Sequence, residues 1–239
     1  MSKAPIWAVA APNARRPSLS RDKIAEAALL IADSKGLEAL SMRRVAEFLD
    51  VGTMTLYHYV RTKDDLLTLV EDTLMAETAN ACDPLPEDWR TAIITIALAT
   101  RTTYLRHPWA LRATMGARVG PNAMRHIEQS LEAVASLRLD IENKLQILSI
   151  VDDYVFGHCA SVVRARSQQQ FDRKTRKALG EVMTRYLAEV GSPRLQAVIG
   201  DSDPVDLLVK SAAATSEEAH FELGLVALLD GLSAHFGLE

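Results

Sequence analysis

The stretch Ser41-Met42-Arg43-Arg44-Val45-Ala46-Glu47-Phe48-Leu49-Asp50-Val51-Gly52-Thr53-Met54-Thr55-Leu56-Tyr57-His58-Tyr59-Val60-Arg61-Thr62-Lys63 decides the reading of the N-terminal fold. Ser41 is a good N-cap, Val51-Gly52 marks a tight turn, and Thr53 is placed to cap a short helix running through Val60. Val45, Phe48 and Leu49 supply the inner face of the helix before the turn. Two short helices meeting at such a turn have the size that lets the second enter a DNA major groove. In that second helix Leu56 and Val60, four apart, face the core, which turns Thr53, Thr55, Tyr57 and His58 outward. Tyr57 and Tyr59 cannot both share one buried face.

Working outward, a helix begins after Ser20, with Asp22 in its first turn, and Ile24, Ala27, Ala28 and Ile31 form its apolar stripe. Gly36, tolerant of left-handed backbone, ends it. Downstream, Thr62-x-x-Asp65 has the form of a capping box and opens a helix from Lys63 to about residue 81. Later breaks follow the prolines: residues 83–87, His107-Pro108 and Gly120-Pro121. Further helices are expected over about 87–106, 121–137, 140–166, 171–190 and 216–236. Asp140 caps the long one and Thr215-x-x-Glu218 opens the last; Ser192-Pro193 and Asp203-Pro204 each read as a cap followed by a first-turn proline, and residues 191–215 otherwise read as an irregular, mobile segment. Alanine, leucine, arginine and glutamate dominate and aromatics are only 5%, so alternating strand runs are scarce and the fold class is all-α. The expected organisation is a flexible N-terminal arm (1–17), a helix-turn-helix DNA-binding domain (18–66) and a larger helical effector-binding and dimerisation domain (67–239).

Charge supports a nucleic-acid partner at one end only. The net charge is −4, yet residues 1–63 hold ten Lys/Arg against six Asp/Glu, and residues 64–239 hold 17 against 25. Tyrosine hydroxyls and threonines suit phosphate oxygens and base edges. Arg43, near the start of its helix, can reach into the groove, where arginine to guanine is the commonest specific contact. Lys63 at a helix start combines its ammonium with free backbone N–H groups to grip one phosphate. Arg15 and Arg16, just before the DNA-binding domain, either enter the adjacent minor groove or form a tail that adds only screened charge.

Thr55-Leu56-Tyr57-His58-Tyr59-Val60, followed by Lys63 and Leu66-Leu67, together with Ala46 and Val51-Gly52, resembles the recognition signature of the tetracycline-repressor (TetR) family. The resemblance implies that Arg43 reads a base, that Thr53, Met54 and Tyr57 lie on the groove face, and that Ser41, Thr55, Tyr57 and Lys63 contact phosphates. Met42 stands where that family commonly carries a phosphate-binding threonine. Asp153-Tyr154-Val155-Phe156-Gly157 and Phe221-Glu222-Leu223-Gly224-Leu225 through Asp230-Gly231-Leu232 resemble the C-terminal domain of the tetracycline-repressor subgroup. By that resemblance two helices per subunit, near 140–166 and 216–236, form a four-helix bundle in a homodimer. Periodicity agrees: Phe221, Leu225, Leu228, Leu232 and His235 recur at helical spacing, as do Ile147, Val151, Tyr154, Val155, His158 and Val162. These stripes face either the partner or the chain's own core. Gly157, Gly224 and Gly231 each cost roughly 1 kcal/mol inside a helix relative to alanine, which close helix approach would offset.

An acidic, apolar helical body behind a DNA-binding head suits a sensor of a small-molecule effector. Tyr104, Trp109, Met115, Tyr154, Phe156 and His158 are candidates to line its cavity, with Arg112 for an anionic group. Where the repressor of the subgroup holds its drug–magnesium complex, alignment places Ala79, Ile96 and Thr114, so tetracycline is not the expected effector. No His/Asp/Glu cluster has metal spacing, and neither a metal nor a cofactor is expected. There is no Gly-rich phosphate loop and no nucleophile elbow, and Asp152-Asp153 are helix neighbours that point apart, so no enzyme is expected. No apolar run approaches the roughly 20 residues that span a bilayer, and Cys82 and Cys159 make no disulfide framework, which fits a cytoplasmic protein. The expected function is a regulator, by default a repressor, released from a palindromic operator on double-stranded DNA by its effector.

Overall fold

Side-chain caps set most helix starts. The computed structural model of the chain describes residues 5–9, 19–113, 120–168, 172–200, 202–216 and 218–238. Among these residues all regular structure is helical: α1 Arg21–Lys35, α2 Met42–Phe48, α3 Thr53–Tyr59, α4 Lys63–Ala81, α5 Trp89–Arg106, α6 Ala110–Ala113, α7 Pro121–Ala133, α8 Ile141–Gln168, α9 Arg173–Val190, α10 Pro193–Ile199, α11 Pro204–Ser216 and α12 Glu218–Phe236. Ser20 Oγ accepts from the Lys23 amide at 3.2 Å, Ser41 Oγ from Arg44 at 3.3 Å, and Thr62 Oγ1 from Asp65 at 3.0 Å. Each bond satisfies one of the four free amides at a helix start. Gly36 ends α1 with φ 80°, a conformation that penalises any side chain.

Contacts divide the chain into two compact units, residues 1–149 and 150–239, with the division inside α8. In the first, α1 to α4 bury Ile24, Val45, Leu56, Val60, Leu66 and Leu74 in one core. This core does not stop at residue 66, because Leu69, Val70 and Leu74 of α4 and Trp109 beyond α5 belong to it. Helix α7 packs on α4 and α5. Asp72 of α4, only 2% exposed, accepts from the Asn122 and Ala123 amides, both at 3.0 Å, and so caps α7 from outside. Buried His107 joins three elements: Nδ1 faces Asp33 Oδ1 at 2.7 Å and Nε2 faces Glu77 Oε2 at 3.3 Å.

In the second unit Val151, Val155, Cys159 and Val162 of α8 and Phe221, Leu225, Leu229 and Leu232 of α12 are buried. Tyr154 donates to the Phe221 carbonyl at 2.9 Å and stacks on its ring. Both stripes therefore face the chain's own core. Leu229 takes the buried place that periodicity gave to Leu228, and His235 is exposed.

Several expectations are corrected. Residues 191–215 are mostly helical rather than irregular: α10 and α11 occupy most of them and start at the first-turn prolines expected at 193 and 204. Helix α11 runs through Ser216, so Thr215 lies within it, and α12 begins at Glu218. Helix α7 ends at Ala133, short of 137. Phe48 is 56% exposed rather than internal. Gly52, not Thr53, is the N-cap of α3, which then makes no side-chain cap. Within the expected N-terminal arm only residues 5–9 are described: residues 6–8 form one 3-10 turn, and Ile6 is 1% exposed inside the head core. Arg15 and Arg16 lie outside the described residues.

Candidate nucleic-acid interface

The turn between α2 and α3 is built by backbone closure. The Asp50 amide donates to the Glu47 carbonyl at 3.2 Å and the Val51 amide to Ala46 at 3.0 Å, the paired bonds of a Schellman ending. Asp50 takes the left-handed position with φ 51°, one that aspartate tolerates better than most residues. The reversal lets α3 follow at once, with Leu56 and Val60 fully buried and Tyr59 8% exposed.

Burial of that face fixes what the other presents. Met54 is 74% exposed and Tyr57 42%, and His58 is exposed beside them; Thr53 and Thr55 are half-buried. Met54 and Tyr57 are three apart and share a face. An exposed Met, Tyr and His on one short helix form a surface with both apolar and hydrogen-bonding parts, suited to thymine methyls, base edges and phosphates. Arg43 is held at its guanidinium by Glu47 at 3.2 Å, with both side chains well exposed. Such an i,i+4 pair is weak and gives way to a stronger acceptor. Ser41 Oγ accepts the Arg44 amide, which leaves its hydroxyl proton for an outside acceptor. Lys63 is exposed as the first residue of α4. Arg61 next to it is held by Asp65 through two bonds of 2.9 and 3.1 Å. Ser41, Arg43, Thr53, Met54, Thr55, Tyr57, His58 and Lys63 thus all belong to α2, α3 and their flanks.

The residues expected to line a cavity are divided between the two units. Tyr104 and Trp109 pack on the head core, where the Trp109 indole donates to Asp33 at 2.8 Å. Arg112 pairs with Glu38 at 3.3 Å on the surface. Tyr154 and His158 belong to the second unit with Phe221, and Phe156 is 38% exposed. Met115 lies outside the described residues. A different set emerges in the first unit. Thr100 Oγ1 on α5, and His126 Nδ1 and Gln129 Oε1 on α7, are buried with no hydrogen-bond partner among the described residues. The Gln129 amide nitrogen is already engaged by the Ala79 carbonyl at 3.1 Å. Desolvation holds the His126 imidazole below its ordinary pKa. An unpaired buried polar atom costs roughly 1–3 kcal/mol, so native chains avoid them unless something supplies the partner. The signal in the sequence was weak: a threonine on one helix and, on another, a histidine and a glutamine three apart.

Comparison with known proteins agrees with both halves. Residues 24–70 match the family model for bacterial regulatory proteins of the tetR family, and residues 83–236 match the tetracyclin repressor-like C-terminal domain. The HTH-type transcriptional repressor DrrR1 of Streptomyces coeruleorubidus is 35% identical over 91% of this chain and 78% of its own length. The class E tetracycline repressor of Escherichia coli is 27% identical over 90% of this chain and 92% of its own. The crystal structure of ActR from Streptomyces coelicolor in complex with actinorhodin superposes with a TM-score of 0.64 at 29% identity, covering 92% of this chain and 99% of that one. The chain belongs to the TetR family and is a ligand-responsive, DNA-binding transcriptional repressor that acts as a homodimer, not an enzyme.

Proposed function

We propose that the homodimer binds a palindromic operator, each α3 reading one half-site in the major groove, and that an effector in the helical body releases it. Arg43 reads a base edge. Thr53, Met54 and His58 lie against the groove floor, and Ser41, Thr55, Tyr57 and Lys63 hold phosphates. The observation that carries this reading is the division of α3: Leu56, Tyr59 and Val60 are buried while Met54, Tyr57 and His58 remain in solvent. Half-site centres are expected about 34–36 Å apart, or at a multiple of that.

The dimer contact falls on the outer faces of α8 and α12. Exposed Phe156, Leu223 (70%) and Val226 (42%) support it, as do Gly157 and Gly231, whose added Cβ atoms would meet nothing of this chain within 4 Å. The effector site lies between α5 and α7, with Thr100, His126 and Gln129 as its polar anchors. Gln129 Oε1 only accepts, and a desolvated His126 is uncharged, so the effector is a neutral organic molecule carrying at least one O–H or N–H donor. The actinorhodin-bound relative supports a small organic effector. Ala79 and Ile96, buried and apolar, offer no side-chain ligand to a drug–metal complex. The protein works in the cytoplasm, where its DNA lies; two buried cysteines fit that setting.

Fluorescence anisotropy on the protein's own promoter DNA and on a scrambled duplex, at two salt concentrations, tests the reading. Tight, salt-sensitive binding to the promoter alone is expected. Equal, weak binding to both duplexes would overturn it.

A further inference from the structure

Arg21 is an odd residue to open α1, because a cation at a helix N-terminus opposes the helix dipole. Its contacts explain its presence. Nε donates to the Tyr59 carbonyl at 3.2 Å, and Nη1 donates to the carbonyls of Ile6 at 3.2 Å and Val9 at 2.9 Å. Tyr59 is the last residue of α3, so its carbonyl has no donor within the helix. Ile6 and Val9 bracket the N-terminal turn, which Ile6 pins into the head core. One planar guanidinium therefore bridges three carbonyls from segments 38 and 12–15 residues away, a geometry that the single ammonium of lysine does not reproduce. Burial lowers the Arg21 pKa, aided by Arg61 and opposed by Asp65, as expected of a guanidinium set into the head rather than lying on it. Just beyond Tyr59, the Arg61 amide and guanidinium are both fastened by Asp65. The exit of the recognition helix is thus held from two sides.

We propose that Arg21 is a positioning residue for operator reading: with the Ile6–Val9 turn it clamps the C-terminal end of α3 and so sets the pose of Tyr57 and His58. The clamp makes the N-terminal segment a working part of the DNA-binding head. It rests on the reading that Tyr57 contacts DNA.

The experiment is a double-substitution cycle on the full-length protein, by anisotropy on its promoter DNA well below the unfolding temperature, with salt series. Tyr57→Phe alone must weaken binding; if it does not, the DNA reading fails and not the clamp. Arg21→Ala is expected to weaken binding about tenfold, with the dependence of log Kd on log salt unchanged. Tyr57→Phe should then cost less in the Arg21→Ala background than in the native one. Arg21→Lys should recover only part of the loss. A salt slope reduced by about 0.9 per half-site in Arg21→Ala would make Arg21 a phosphate ligand instead and overturn the clamp. So would native affinity in Arg21→Ala, or a full, undiminished effect of Tyr57→Phe in its background. Should Arg21→Ala fail to fold, the cycle runs with Arg21→Lys, where the same reduced cost of Tyr57→Phe is expected and an undiminished cost overturns the proposal.

Discussion

Gly224→Ala is the sharpest probe of the second unit. A Cβ built on Gly224 would lie 2.1 Å from the Tyr154 hydroxyl oxygen, 2.9 Å from Cζ and 3.1 Å from Cε2. No real pair of atoms sits so close, and the ring cannot retreat without losing its contacts. Tyr154 donates to the Phe221 carbonyl at 2.9 Å and stacks on Phe221 with centroids 5.4 Å apart. Losing that bond costs about 1 kcal/mol, and losing the ring pair about 0.5–1.5 kcal/mol more. Alanine regains roughly 1 kcal/mol of helix propensity, while overpacking strain adds about 1–3 kcal/mol. The expected net loss is about 1.5–4.5 kcal/mol, or a Tm lower by roughly 3–18 °C for a chain of this size. Calorimetry at one fixed protein concentration measures it, since dimer stability depends on concentration. In a Tyr154→Ala background the same substitution should become stabilising, because only the propensity gain remains. A Gly224→Ala protein as stable as the native one, or equal costs in both backgrounds, would refute the packing argument.

Replacing Arg43 by Ala should relax specificity at one operator base pair by about 1–3 kcal/mol while leaving binding to the other positions intact; a binding series over single-base operator variants checks it. Lys63→Ala should weaken promoter binding and lower the salt slope by about 0.9 per half-site, read by anisotropy across a salt series. Because burial depresses the His126 pKa below its ordinary 6.5, the folded state binds a proton less readily than the unfolded chain. Its share of stability is therefore full above that value and is lost as pH falls through the folded pKa; Tm in the native protein should drop more steeply between pH 7 and 5 than in His126→Gln. Thr100→Val, which removes an unpartnered buried hydroxyl, should raise the Tm of the effector-free protein by a few degrees, measured by the same calorimetry.

Local chemistry was readable wherever a residue acts on its own neighbours. Ser20, Ser41 and Thr62 cap helices three residues before the amides they accept from, so spacing alone locates them. Leu56 and Val60 against Tyr57 and His58 is a question of helical phase, and phase is written in sequence. Phe48 was misplaced because α2 is only two turns long and the chain reverses straight after it; a phase argument has little to average over there. Ile6 was invisible for the opposite reason. A single apolar anchor has no period, and the turn that carries it is held by Arg21, 15 residues further along the chain. The same holds for Thr100, His126 and Gln129: lacking a partner is a property of the packed fold and has no signature in one segment. Trp109 illustrates the converse, since a tryptophan eligible for a cavity turned out to be tied to Asp33.

Helix α4 is the physical link between the two activities. It has 19 residues, and at 1.5 Å per residue it is about 28 Å long. Lys63, its first residue, marks the end proposed to meet DNA. Further along, Asp72 caps α7, Glu77 meets His107, and the Ala79 carbonyl holds Gln129. Leu66, Leu69, Val70 and Leu74 between them are buried in the head core, so the helix cannot shift without carrying that core along. An effector that engages Gln129 Oε1 would pull on the side chain whose other end holds Ala79. Asp72 adds a second hold, because α7 cannot tilt without straining a buried carboxylate bonded to two of its amides. A buried charge deprived of such bonds is far more costly than an exposed one. Motion of α7 is therefore expected to move α4 rather than break the cap. DNA binding and effector binding then compete for one helix position, and linkage requires operator DNA to weaken effector binding by the same factor that effector weakens operator binding.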